Sequence, residues 1–98
     1  MAAVRYFHSK NIVHRDLKID NIIIQGYESG KVDDLRVKII DFGMSKLTQL
    51  SGKKINLNTW CGSIEFIAPE VFSGECYGIE CDLWSVGVIA FFMLARIP

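Results

Sequence analysis

Eight consecutive residues, His14-Arg15-Asp16-Leu17-Lys18-Ile19-Asp20-Asn21, constrain this chain more than any other stretch, because they pack a potential base, two cations and an amide together. Ile22-Ile23-Ile24 follows at once and reads as a short buried strand. The polar cluster is therefore expected on a loop that a strand holds still, which is how side chains are presented to a ligand.

What such a loop can do follows from its atoms. A carboxylate at Asp16 can accept a hydroxyl proton, and the ammonium of Lys18 can neutralise charge developing on a phosphoryl group. Asn21 offers a neutral amide oxygen, a hard ligand suited to Mg²⁺ but too weak to bind it alone. A second carboxylate is required. Asp41, in Asp41-Phe42-Gly43, follows a second apolar run, Val37-Lys38-Ile39-Ile40, and is the candidate.

Residues 14–21 match the HRDLxxxN catalytic loop of eukaryotic protein kinases, residues 41–43 match DFG, and Ala68-Pro69-Glu70 match APE. The five fixed letters of the first motif would fit a given position by chance less than about once in a million. Asp82-Leu83-Trp84-Ser85-Val86-Gly87 also looks like the start of the long buried helix of the kinase large lobe. The chain thus resembles a serine/threonine protein kinase catalytic domain over nearly its whole length. The resemblance implies an α+β, protein-kinase-like fold that is partial: a mainly helical large lobe with short β-hairpins around the catalytic loop. It implies one incomplete domain over 1–98, with the catalytic loop at 14–21, the metal-binding loop at 41–43, the activation segment at 41–70 and a buried helix at about 80–96. The small lobe and the C-terminal helices of such a domain are absent from these residues.

Composition narrows the partners. Eleven basic and eleven acidic residues leave no net charge, so there is no electrostatic case for nucleic acid or an anionic membrane. Three cysteines, Cys61, Cys76 and Cys81, form no even-numbered framework and show no zinc-ligand spacing with His8 or His14. With the implied intracellular, cytoplasmic setting they are expected as free thiols. The longest apolar run, 86–95, is about half of what a membrane span needs.

In chain order, Met1, Val4 and Phe7 or His8 recur at helical spacing, and Asn11 can end that helix. Gln25 to Arg36 is a polar turn between two apolar runs, the pattern of a hairpin with a longer loop. Its length, with Cys61-Gly62-Ser63 and the run ending in Glu70, suits the calcium/calmodulin-dependent kinase group, so a calcium-sensing regulator is among the implied partners. From Met44 to Ile67 the composition is polar and hydroxyl-rich, including Thr48, Ser51, Thr59 and Ser63. Pattern alone favours a disordered surface loop there, whereas the resemblance makes it a segment ordered by phosphorylation. Pro69 suits the first turn of a short helix through Phe72. Residues 80–96 are apolar on every side, which for a helix predicts burial within a larger body.

The resemblance also assigns roles. Asp16 is the expected catalytic base and Lys18 the expected contact to the transferred phosphate, the latter pointing to serine/threonine specificity. Asn21 and Asp41 are expected to hold Mg²⁺. Arg15 offers a planar fork for a phosphate on Thr59, and Ser63 is expected to bridge Asp16 and Lys18. His14 and Phe42 are expected to stack the catalytic loop beneath the metal-binding loop that ends at Gly43. Asp82 is expected to accept backbone amides of the catalytic loop, and Glu70 to pair with an arginine absent from these residues. Trp84, Ile89 and Met93 are expected in the core. Ile19, Phe66 and Arg96-Ile97-Pro98 depart from the usual pattern without removing a catalytic atom.

The implied activity is transfer of the γ-phosphate of ATP, with Mg²⁺, to serine or threonine hydroxyls of a protein substrate. These residues contain no glycine-rich loop and no phosphate-pairing lysine with its helix glutamate, so the 98-residue chain alone is expected to be inactive and poorly soluble. The competing expectation is a noncatalytic binding or decoy fragment, or a degraded gene fragment that never folds.

Overall fold

The computed structural model describes residues 1–50, 53–54, 56–59 and 61–96. Ser51, Ile97 and Pro98, singled out above, lie outside the described residues. Helix α1 spans Ala2–Ser9 and buries Val4 and Phe7, the two apolar positions three apart that pattern the segment. It ends where Asn11 takes φ 60°, a left-handed conformation that Asn tolerates better than most side chains. The Asn11 carbonyl then accepts both the backbone N–H and the hydroxyl of Thr48, at 2.7 and 3.2 Å. This fastens the end of α1 to a segment 37 residues away.

Six short strands follow among the described residues: β1 Ile12–Val13, β2 Ile22–Gln25, β3 Arg36–Ile39, β4 Lys46–Leu47, β5 Gln49–Leu50 and β6 Lys53–Lys54. They pair as three antiparallel ribbons, β1 with β4, β2 with β3 and β5 with β6. The β2–β3 hairpin runs in register from Ile22 opposite Ile39 to Gln25 opposite Arg36. Its long loop is two single 3₁₀ turns, Tyr27–Ser29 and Val32–Asp34, entered at Gly26 with φ 82°. A side chain at Gly26 would collide with the Asp34 carbonyl. Residues 44–67, which pattern alone reads as unordered, instead carry β4, β5, β6 and a 3₁₀ turn at Ile64–Phe66.

Helix α2, Pro69–Phe72, begins with proline at its first position, where the missing N–H costs nothing. Helix α3, Glu80–Ala95, is the longest element. Two clusters form the core. Val4, Phe7, Leu17 and Ile89 join α1, the 14–21 loop and α3, with Ile22 and Ile39 of the hairpin packed on their flank. Val13, Leu57, Ala68, Val71, Tyr77 and Cys81 join β1 to the segment that leads into α3.

Two expectations about burial need correction. Ile23 and Ile24 are exposed rather than buried, because only Ile22 of β2 is turned against the core and no second layer covers the ribbon among the described residues. Helix α3 buries a single stripe, Cys81, Asp82, Ser85 and Ile89. Trp84 at 49% exposure and Met93 at 70% are therefore not core residues, whereas Ile89 is. The spacing of the buried positions is that of one helical face, and nothing among the described residues packs on the opposite one.

Candidate functional site

The loop between β1 and β2 is held from beneath by one side chain. Asp82, fully buried on the first turn of α3, accepts the His14 N–H at 2.8 Å and the Arg15 N–H at 3.0 Å, one on each carboxylate oxygen. The oxygen facing His14 also meets His8 Nε2 at 2.8 Å. Two consecutive amides can converge on one carboxylate because the backbone turns sharply: Arg15 has φ 71°, in the left-handed region that a branched or long side chain rarely occupies. Strain of this kind costs of order 1–3 kcal/mol and persists only where the surroundings over-determine it. Charge-assisted bonds to a buried carboxylate supply that.

His14 is fully buried and its two ring nitrogens have fixed duties. The Asp16 N–H donates to Nδ1 at 3.1 Å, so Nε2 carries the proton and donates to the Ile40 carbonyl at 3.0 Å. The Ile40 N–H in turn donates to the Asn21 carbonyl at 2.9 Å. Residue 40 is thus tied to the loop through both of its backbone groups, and Asp41 is delivered beside the 16–21 loop. Phe42 lies edge-on to His14 with centroids 4.6 Å apart and edge-on to Phe7 at 5.5 Å. Asp41 itself has φ 60°, and its carboxylate accepts the Gly43 N–H at 3.2 Å. A Cβ on Gly43 would stand 3.1 Å from that same carboxylate oxygen, so a side chain there would require the Asp41 carboxylate to shift by a few tenths of an ångström.

Around Asp16 the polar groups converge. Ser63 donates its hydroxyl to Oδ1 at 3.2 Å, and the Lys18 ammonium stands 3.9 Å from Oδ2. The Asn21 amide nitrogen donates to the Asp16 carbonyl at 2.9 Å and lies 3.5 Å from Oδ2. With its N–H₂ group committed, the Asn21 amide presents its oxygen elsewhere. Asp16 and Lys18 keep 15% and 27% of their side chains open, so the cluster is reachable from solvent. Ser63 comes this close because Gly62, with φ 105°, lets the backbone approach Arg15; a Cβ there would sit 2.8 Å from the Arg15 carbonyl. The segment is also clamped to α3, where Ser85 donates to the Phe66 carbonyl at 2.7 Å.

Arg15 spreads its guanidinium over two neighbours, Nε to the Met44 carbonyl at 2.6 Å and one terminal nitrogen to the Tyr77 hydroxyl at 2.9 Å. Tyr77 donates to the Thr59 carbonyl at 2.6 Å, which brings Thr59 into the arginine's neighbourhood through one intermediary. Burial pushes the Tyr77 phenol above its ordinary value, with the Arg15 bond acting in the opposite direction. Glu70 has no cationic partner among the described residues.

Chemically, the site offers a carboxylate able to take a proton, an adjacent ammonium, and an amide and a carboxylate as oxygen donors. No group of three or more His, Cys, Asp or Glu forms a self-sufficient metal cage among the described residues. An Asn–Asp pair of hard oxygen donors fits Mg²⁺, which is held by one or two carboxylates with phosphate oxygens completing its shell. Two positions that anchor the site, His8 and Tyr77, lie in none of the motifs, and Ser85, which lies within the Asp82–Gly87 motif, had no role assigned to it there.

The fold and this constellation define a polar, solvent-reachable loop cluster set on a helical base. A family profile described as "Protein kinase domain" matches residues 1–98, and the chain belongs to the protein kinase family. It is 40% identical over 102 residues to mouse (Mus musculus) Serine/threonine-protein kinase 33, covering 99% of this chain and 20% of that protein. It is 41% identical over 98 residues to Myosin light chain kinase A of Dictyostelium discoideum, covering 100% of this chain and 31% of that protein. Serine/threonine-protein kinase kin-29 of Caenorhabditis elegans is 45% identical over 95 residues, 96% of this chain and 10% of its own length. The chain therefore spans less than a third of each of these relatives. No helix among the described residues is long and apolar enough to cross a membrane.

Proposed function

We propose that these residues are the central part of the large lobe of a serine/threonine protein kinase, and that the full-length protein transfers the γ-phosphate of ATP to serine or threonine hydroxyls of protein substrates. The supporting observation is the double hold on Asp16, with Ser63 on one carboxylate oxygen and Lys18 beside the other. Asn21 is tied both to Asp16 and to the residue before Asp41. In this reading Asp16 orients the attacking hydroxyl and takes its proton as the new O–P bond forms and the bond to the β-phosphate oxygen breaks. Lys18 sets positive charge against the phosphoryl oxygens. Asn21 and Asp41 would hold Mg²⁺, which when bound neutralises charge on the β- and γ-phosphates. Intracellular, cytoplasmic localisation belongs to the same reading.

The test is transfer from γ-labelled ATP to serine and threonine peptides by the full-length protein. Asp16→Asn should lower kcat by about 10²- to 10⁴-fold, the usual worth of a general base. Asp41→Ala should remove the Mg²⁺-dependent activity, Thr59→Ala should lower turnover, and the 98-residue chain alone should transfer nothing. Undiminished turnover in Asp16→Asn would refute the assignment. A calcium-sensing regulator is tested in the same assay by adding calcium and calmodulin.

A further inference from the structure

The phenol of Tyr77 is 7% exposed and uses its hydroxyl in both directions, donating to the Thr59 carbonyl at 2.6 Å while accepting from Arg15 at 2.9 Å. Its backbone N–H donates to the Leu57 carbonyl at 2.9 Å, an isolated antiparallel bridge that brings residue 57 to the same place. The ring packs with Val13, Leu57, Ala68, Val71 and Cys81. A phenylalanine would fill that space equally well, so the apolar contacts do not account for the hydroxyl. What the oxygen adds is a continuous path from the Thr59 carbonyl through Tyr77 to Arg15, whose own N–H sits on Asp82 and whose next neighbour is Asp16. Bonds in such a chain polarise and reinforce one another away from bulk water.

We infer that Tyr77 is a positioning residue that docks the Thr59 stretch on Arg15 before any phosphate is added, and so couples the state of that stretch to the catalytic loop. This rests on the kinase reading above. The guanidinium in the unmodified chain is occupied by the Met44 carbonyl and the Tyr77 hydroxyl. On the reading above a phosphate on Thr59 pairs with the arginine and takes over the tethering, so the hydroxyl matters most in the unmodified protein.

The experiment compares full-length wild type with Tyr77→Phe. Backbone amide exchange at 57–59 in the unmodified protein should accelerate about tenfold, as expected for losing two hydrogen bonds, with little change along α1. In the kinase assay, kcat of the unmodified protein should fall about tenfold at constant KM for ATP, and the Thr59-phosphorylated form should stay within about threefold of wild type. Exchange rising uniformly along the chain, or both phosphorylation states losing activity equally, would overturn the inference. Arg15→Gln cuts the same path from the other end. It should accelerate exchange at 57–59 similarly and add nothing to Tyr77→Phe; additive effects would overturn the coupling even if one variant folds poorly. A protein without kinase activity refutes the function proposed above, whereas the exchange arm still decides whether Tyr77 links 57–59 to Arg15.

Discussion

Removing the Asp82 carboxylate should cost more stability than any other single truncation here. Three donors converge on it, the amides of His14 and Arg15 and the ring of His8, in a fully buried setting. Asp82→Ala strands two buried N–H groups and an imidazole, each worth about 1–3 kcal/mol when left unpaired, so the loss should be about 4–6 kcal/mol. That is comparable with the entire stability of a small domain. Asp82→Asn is the informative variant, because it keeps the shape and loses the charge. Its amide oxygen can serve the side that takes His14 and His8, but its N–H₂ group must then face the Arg15 N–H, donor against donor. The expected cost is about 2–3 kcal/mol. Urea unfolding of the full-length protein gives the number, and native-state exchange at the amides of His14 and Arg15 gives its location. If Asp82→Asn unfolds within about 0.5 kcal/mol of wild type and both amides remain equally protected, the carboxylate is not what holds the loop.

Gly62→Ala forces a side chain into φ 105° and within 2.8 Å of the Arg15 carbonyl, so a loss of about 2–3 kcal/mol and detachment of Ser63 from Asp16 are expected by chemical denaturation and exchange at 61–63. Arg96 ends α3 with φ 53°, a conformation better suited to glycine. Arg96→Gly should therefore raise stability by about 0.5–1 kcal/mol in the same denaturation assay, and a decrease would contradict the capping argument. Burial raises the Cys81 thiol far above its ordinary 9.0. The folded state thus holds this proton more tightly than the unfolded one, so its contribution is complete below pH 9 and is lost as pH rises beyond it. Unfolding free energy measured from pH 8 to 11 should fall by up to about 1.4 kcal/mol per pH unit from this group, and Cys81→Ala should flatten the slope.

Several elements were legible locally because their causes are local. Val4 and Phe7 mark the buried face of α1, Pro69 marks the start of α2, and the polar stretch between two isoleucine-rich runs marks the β2–β3 hairpin. The misreadings have an equally plain origin. Ile23, Ile24, Trp84 and Met93 are apolar, and apolar character says a side chain would gain from burial without saying whether another surface arrives to bury it. The 44–67 stretch lacks periodicity, and its described residues are held by distant partners: Asn11 for Thr48, Tyr77 for Leu57 and Thr59, and Ser85 for Phe66.

The amino-acid order alone determined which chemical groups are present, the family signature, and the short elements that carry them, since these depend on neighbours within a few positions. The family resemblance already pointed Asp82 at backbone amides of the 14–21 loop, but only the tertiary structure decided that these are the amides of His14 and Arg15, that His14 would pin Ile40, and that Tyr77 would join Thr59 to Arg15. A hydrogen bond needs its two atoms within about 3 Å, and separation along the chain says nothing about that distance until the core has closed.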